Sequence, residues 1–328
     1  MLKEMSVEII RKCPNRCVHC SSLSDEHCKE ILEYNKFTEI VDDAKELGAE
    51  NICLSGGEPF LHPRVIDMIL YVKSKELSCY VYTSGIVFDD KLEKVALSYE
   101  FLLPLSGVVD KLIFNVEAAT SSIYDEIMGT KGCFDLMQSS VKMANQLCIT
   151  TEAHFVPMKL NIGEIEKTIT LCQNIGISKI SFLRLVPHGR ALINHEKILL
   201  SDEEFLRLRS LLIDIKDKSS IDVRIGVPLS IDTSCHKCEA ASGKLNIKYD
   251  GYVFPCEVFK NNKVAMNLES YSPENIHDKS LLQIYKNSSY LQYVREFSTQ
   301  FQCNNNCETC VGQYLIEIAD KEIIEDGK

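Results

Sequence analysis

The sequence predicts an α/β protein: a parallel sheet flanked by helices, followed by a smaller cysteine-rich α+β region. Three observations predict it. Short apolar runs alternate with amphipathic helical stretches from Met5 onward. That alternation stops near Val186. Beyond it, six cysteines fall between Cys235 and Cys310, around a hairpin signal at Asp250-Gly251.

Residues 5–10 read as the first strand. Residues 38–47 read as a helix, because Ile40, Val41, Ala44 and Leu47 share one face and Gly48 follows in the C-cap position. Residues 51–54 form the second strand. Pro63 opens a second helix running to about Lys73, since its missing N–H costs nothing in a first turn. Further strands are predicted at residues 79–83, 111–116, 151–156 and 179–185. Ile165, Ile169, Cys172 and Ile175, ended by Gly176, mark the clearest helix among them. Six strand–helix units in series imply a parallel sheet with helices outside it, and periodicity leaves open a flat sheet or a partial barrel. Residues 201–216 read as a linking helix, with Ser201 as its cap and acids in its first turn. Residues 245–249 and 252–254 flank the Asp250-Gly251 turn.

Of the 328 residues, 45% are hydrophobic and 25% charged, enough apolar material for a sizeable core. The formal net charge of -11, with no Lys/Arg-rich block, argues against a nucleic-acid partner, which needs clustered cations. No apolar run approaches the roughly 18 residues of a membrane span, and the first residues lack a signal-peptide core. A cytoplasmic location is expected. The chain carries 15 cysteines, and in a reducing compartment clustered cysteines read as metal ligands or reactive thiols.

Cys13-Pro-Asn-Arg-Cys17-Val-His-Cys20 follows directly on the first strand. Three thiolates in eight residues converge on one centre, and soft sulfur selects iron–sulfur clusters or zinc. A zinc site wants a fourth protein ligand. His19, adjacent to Cys20, is poorly placed to supply it, and Cys28 fits no common zinc spacing. Three ligands leave one iron of a cubane open for chemistry. Three further segments end successive strands. Gly56-Gly57-Glu58-Pro59 combines close backbone approach with a carboxylate suited to an ammonium group. Val81-Tyr-Thr-Ser84-Gly85 reads as a strand-ending turn with a small polar residue. Phe114-Asn115-Val-Glu117 precedes Tyr124-Asp-Glu-Ile-Met128-Gly129, which by itself reads as a surface helix. Strand C-terminal ends are where parallel α/β folds place their active sites.

Taken together, these segments resemble the radical S-adenosylmethionine (SAM) superfamily. The resemblance runs from about Met5 to Arg190 and implies a partial (β/α)6 barrel. It implies a 4Fe-4S cluster on Cys13, Cys17 and Cys20, with SAM held by Gly56, Gly57, Glu58, Pro59 and Ser84. Asn115 stands where the family has serine, Glu117 where it has aspartate, and Met128 where an arginine often pairs with the SAM carboxylate. Arg184, on the sixth strand, is the substitute considered for that arginine. The C-terminal region resembles SPASM or twitch extensions, through Cys238, Gly251 and Cys256 in the pattern C-x(9–15)-G-x4-C. That implies an auxiliary 4Fe-4S cluster, with Cys238, Cys256, Cys307 and Cys310 as first choice and Cys235 and Cys303 as alternates. Two clusters with an open iron each, or a zinc on the pairs Cys235/Cys238 and Cys307/Cys310, stay open. The expected division is a barrel over residues 1–200, a linking helix and strand over 201–231, and an auxiliary-cluster domain over 232–328. Cys28, Cys53, Cys79, Cys133, Cys148 and Cys172 are expected to be buried small apolar residues. His154 and His188 are expected to be structural.

The resemblance implies generation of a 5′-deoxyadenosyl radical that abstracts hydrogen from a substrate, with electrons from a donor such as flavodoxin or ferredoxin. A ribosomally made peptide is the leading substrate. A dehydrogenase acting on a small molecule is the alternative, and a non-catalytic iron–sulfur electron carrier is the rival of another class.

Overall fold

The computed structural model describes residues 1–226, 229, 238–262, 264–268, 271–304 and 310–326. The first part runs β1 (Glu4–Ile10), α1 (Tyr34–Glu46), β2 (Asn51–Gly56), α2 (Val65–Ser74), β3 (Ser78–Thr83), β4 (Ile86–Phe88), β5 (Lys94–Ala96) and α3 (Tyr99–Leu102). It continues through β6 (Lys111–Asn115), α4 (Ser121–Met128), α5 (Cys133–Gln146), β7 (Thr151–Phe155), α6 (Ile165–Asn174) and β8 (Lys179–Phe182). The last part comprises α7 (Arg190–Ile193), α8 (His195–Ile198), α9 (Asp202–Lys218), β9 (Asp222–Ile225), β10 (Lys244–Ile247), β11 (Val253–Phe254), α10 (Leu281–Asn287), α11 (Ser289–Asn304) and α12 (Val311–Asp326).

One nine-stranded sheet organises the chain, in the order β11-β10-β1-β2-β3-β6-β7-β8-β9. Every neighbouring pair in it is parallel except β10 with β11. β4 and β5 form a separate antiparallel hairpin. The six expected strands are present and in sequence order, so each strand–helix unit returns beside the one before. The C-terminal hairpin departs from expectation. It does not stand apart: β10 pairs in parallel with β1, so the cysteine-rich region extends the main sheet.

Side chains alternate along each strand, and the two faces differ in chemistry. Met5, Val7 and Ile9 of β1, Ile52 and Leu54 of β2, and Cys79 and Val81 of β3 are buried on one face. The helices supply its cover, α1 with Phe37, Ile40, Val41 and Ala44, and α2 with Val65, Met68, Ile69 and Val72. Burial of each such side chain stabilises by about 1.5–3 kcal/mol, and a one-residue slip would expose the whole set. The other face is polar. Ser6, Cys53, Tyr80 and Lys111 are in register across β1, β2, β3 and β6. Asn115, His154, Ser181 and Arg224 are in register across β6 to β9. Ion pairs close the N-terminal ends of these strands: Lys244 to Glu4 at 3.0 Å, Lys111 to Glu152 at 2.9 Å and Lys179 to Asp222 at 2.9 Å.

Some local expectations are corrected. α1 starts at Tyr34 rather than residue 38, behind Glu33, whose side chain makes no capping bond. α2 starts at Val65, because Pro63 follows a short 3-10 turn at Pro59–Leu61. α4 is not a plain surface helix: Tyr124, Ile127 and Met128 are buried. Cys148 is exposed, at φ 56° just past α5, while Cys53, Cys79, Cys133 and Cys172 are buried as expected and Cys28 is half-buried. No helix among the described residues is long and apolar enough to cross a membrane.

Candidate active site

The loop carrying Cys13, Cys17 and Cys20 leaves the C-terminal end of β1 and is held from three sides. α4 supplies two carbonyls, Met128 O accepting from Arg16 N at 3.0 Å and Ile127 O from Val18 N at 2.8 Å. Gly129 allows this approach, since a Cβ there would lie 2.4 Å from Arg16 O. α7 supplies Arg190, which is buried and donates from Nε to Cys17 O at 2.7 Å and from Nη2 to Ser24 O at 2.6 Å. Asn194 Nδ2 donates to Val18 O at 2.8 Å. The third side is the glycine pair that ends β2. Gly57 N donates to Ile10 O at 2.6 Å and Glu58 N to Lys12 O at 2.8 Å.

The three thiols share one electrostatic environment. Burial pushes the Cys13 thiol well up, and Cys17, Glu58 and Cys20 raise it further. Burial also raises Cys17, reinforced by Cys20 and opposed by the Arg190 guanidinium. Beside them, Glu58 is buried and its carboxylate is heavily hydrogen-bonded. Oε1 accepts from Thr83 Oγ1 at 2.7 Å, while Oε2 accepts from Ser84 N at 2.8 Å and Ser84 Oγ at 2.7 Å. Burial raises the Glu58 pKa, and these donors hold it back. Asn115, at the end of β6, also bonds the carboxylate of Glu117. Burial lifts Glu117 to about 8 and lowers His19 to about 4, with Arg190 adding to the latter. His19 Nε2 and Glu117 Oε1 are 3.5 Å apart, and with both uncharged near neutral pH they form no ion pair. Arg184, past the end of β8, places its guanidinium 5.2 Å from the centre of the Phe205 ring.

The second cysteine group is assembled by the C-terminal region. Burial raises the Cys238 thiol, and Cys310 adds to it; Cys256 is pushed well up by burial, Glu257, Cys310 and Cys238. Three of the four first-choice ligands, Cys238, Cys256 and Cys310, therefore lie within electrostatic reach of one another. Cys235 and Cys307 lie outside the described residues, as does the side chain of Cys303.

The family model described as "Radical SAM superfamily" matches residues 7–172. The chain belongs to the radical SAM superfamily. A second model, described as an iron-sulfur cluster-binding domain and named SPASM, matches residues 238–311. A PqqA peptide cyclase of Rhizobium meliloti is 24% identical over 310 residues, covering 93% of this chain and 79% of the relative. An AdoMet-dependent heme synthase of Methanosarcina barkeri is 22% identical, covering 88% of this chain and 83% of the relative. The solved structure of Streptococcus suis SuiB bound to precursor peptide SuiA superposes with a TM-score of 0.71 at 17% identity, covering 90% of this chain and 67% of that one.

A radical SAM enzyme carries a 4Fe-4S cluster and SAM, and a SPASM region implies auxiliary clusters. The residues present fit both. The raised thiols of Cys13, Cys17, Cys238 and Cys256 become thiolates when iron binds them, because the metal supplies the compensating charge. Among the described residues, no three His, Cys, Asp or Glu side chains converge tightly enough to enclose a single metal ion. Thiolates on separate irons of a cubane stand farther apart than ligands of one ion. Arg190 was not singled out from the sequence. Its signal was slight, a Gly189-Arg190 pair in a turn 173 residues from Cys17. Gly189 itself is required there, since a Cβ would lie 2.4 Å from Ser21 O.

Proposed function

We propose that this radical SAM enzyme matures a ribosomally synthesised peptide. The observation that carries the reading is the polar face of the sheet, which runs between the two cysteine groups. Cys53 and Tyr82 on that face feel both Glu4 at its closed end and the exposed Glu257 beside Cys256. A peptide brings many backbone amides, and a surface of carboxylates, lysines, His154, Tyr82 and Arg224 can hydrogen-bond them. The similarity to a peptide cyclase and to SuiB supports the same class of substrate. The second reading, a small-molecule enzyme, is favoured by the similarity to a heme synthase.

In this reading Cys13, Cys17 and Cys20 hold the first cluster and leave one iron to SAM. Gly56 and Gly57 let the β2 end approach that loop, Glu58 and Ser84 receive the SAM amino group, and Pro59 turns the chain away. Asn115 and Arg184 complete the SAM set from the ends of β6 and β8. When bound, the cluster and SAM supply the 5′-deoxyadenosyl radical that takes hydrogen from the substrate. A donor such as flavodoxin or ferredoxin delivers the electron. Cys238, Cys256 and Cys310, with Cys307, hold the auxiliary cluster.

The sheet is further proposed to curl into a partial (β/α)6 barrel over residues 1–200, linked through 201–231 to an auxiliary-cluster domain at 232–328. Six strands separate β10 from β9. In a flat sheet that is about 34 Å, at about 4.8 Å per strand. Yet Arg224 on β9 perturbs Lys244 on β10, which supports a curled sheet whose edges approach.

The test is anaerobic reconstitution with iron and sulfide, then dithionite, SAM and the short peptides encoded beside the gene. Stimulated 5′-deoxyadenosine with a mass change in one peptide is expected. Stimulation by small carbonyl or alcohol substrates alone would sink the peptide reading. Cys256→Ala is expected to lower iron content by about one cluster. Unchanged iron would remove Cys256 from the ligand set.

A further inference from the structure

The turn that follows Cys256 does more than leave the auxiliary site. Phe259 is buried, and the next two residues grip the chain just after Cys20. Lys260, 8% exposed, places Nζ 2.5 Å from Oε1 of Glu8, which is 0% exposed on β1. Ser22 Oγ donates to the same oxygen at 2.6 Å. Asn261, at φ 55°, donates from Nδ2 to Ser21 O at 2.9 Å. Two segments 240 residues apart are thereby clamped together within two residues of Cys20.

A buried pair of this kind contributes little net stability, because desolvation offsets the attraction, but it fixes geometry and charge. Burial would lower the Lys260 ammonium, yet the Glu8 carboxylate outweighs it and the net shift is upward, so the lysine stays charged. Its field reaches Cys20, and it reaches His188 as well. Burial and Lys260 hold His188 at about 4, so the histidine adds no positive charge of its own near neutral pH. The other titratable groups facing Lys260 are Glu8 and Glu257, and Glu8 Oε2 has no hydrogen-bond partner among the described residues.

We propose that Lys260 is a positioning residue through which the C-terminal region sets the geometry and the reduction potential of the first cluster at its Cys20 ligand. The inference rests on the reading that Cys13, Cys17 and Cys20 hold that cluster. Charge near an iron–sulfur centre and hydrogen bonds around its sulfurs set its potential. Lys260 offsets the Glu8 carboxylate beside it; without the ammonium an unpaired anion would stand near the cluster and disfavour the reduced, more negative state, which is the state that SAM cleavage requires.

The experiment is a redox titration of the reconstituted protein, followed by electron paramagnetic resonance. The signal that changes on SAM addition identifies the first cluster and separates it from the auxiliary one. Lys260→Met is expected to make that cluster harder to reduce, by about tenfold in the reduced-to-oxidised ratio at a fixed potential. For a one-electron couple that is about 59 mV downward. Lys260→Gln still donates to Glu8, protects the fold should the methionine variant fail to form, and is expected to shift the potential in the same direction. Lys260→Arg keeps the charge and is expected to restore the wild-type potential. An unshifted potential in loaded Lys260→Gln overturns the inference and leaves the cluster assignment intact. Absence of any SAM-responsive signal in the wild-type protein sinks the assignment itself.

Discussion

Cys17→Ala is expected to abolish reductive cleavage of SAM while leaving the fold and the auxiliary cluster in place. The backbone of Cys17 is held independently of its thiol, by Arg190 Nε on its carbonyl at 2.7 Å and by Cys20 N on the same oxygen at 3.2 Å. Among the described residues, the thiol's hydrogen-bond partner is a weak one, Met128 Sδ at 3.7 Å. Truncation therefore removes a proposed ligand without removing a structural bond. Iron should fall by about one cluster, and 5′-deoxyadenosine should drop to the level without enzyme. Cys133→Ala is the informative control. Cys133 lies within electrostatic reach of Cys17, but its Sγ is engaged with Thr130 O at 3.0 Å and Asp125 Oδ1 at 3.2 Å. It should retain cleavage. Retained cleavage in Cys17→Ala, or loss in Cys133→Ala, would show that the ligand set is different.

What could be read in advance was whatever a short window of sequence contains. Cys13, Cys17 and Cys20 span eight residues, and Gly56 to Pro59 span four, so spacing alone announced them. α9 was equally plain, because Ser201 stands at its cap and acids fill its first turn; the structure adds a reciprocal capping box with Glu204. α1 was misplaced at its start because Glu33 makes no side-chain cap. The β4–β5 hairpin and α3 have three or four residues per element, too few for periodicity to register. Long-range partners were invisible for a different reason. Nothing near Arg190 announces Cys17, and nothing near Lys260 announces Glu8, 252 residues away. Such contacts depend on which strands become neighbours, and β10 joined β1 across most of the chain. The polar face was not read in advance, although the i, i+2 series Glu4, Ser6, Glu8 in β1 carries it. Its shorter counterparts in the other strands were hidden among apolar runs.

The long-range partners also predict which losses the site should tolerate and which it should not. Side chains that donate into the cysteine loop, Arg190 and Asn194, act on different carbonyls, so each can go without freeing the whole loop. Backbone-to-backbone contacts have no such reserve. Where two main chains touch, an added methyl group has nowhere to rotate to.

Gly57→Ala is the substitution for which this matters most. A Cβ at position 57 would lie 2.1 Å from Lys12 O and 2.4 Å from Arg11 O, both backbone atoms on the approach to Cys13. Real Cβ contacts sit beyond 3 Å, so the β2 end and the cysteine loop must part by about an ångström. That displacement breaks the bonds from Gly57 N to Ile10 O and from Glu58 N to Lys12 O. It also carries Glu58 away from Thr83 and Ser84, whose three bonds fix its carboxylate. Overpacking of this kind costs about 1–3 kcal/mol or more. A melting temperature lower by several degrees is expected, at about 2–4 °C per kcal/mol for large domains. SAM affinity should weaken by more than about tenfold, since each tenfold is about 1.4 kcal/mol and the carboxylate site itself has moved. Gly163→Ala is the matched control, because a Cβ there meets nothing within 4 Å. Thermal unfolding and SAM calorimetry on the two variants decide the matter. If Gly57→Ala melts and binds SAM like Gly163→Ala, the close approach of the β2 end to the cysteine loop is not what builds the SAM site.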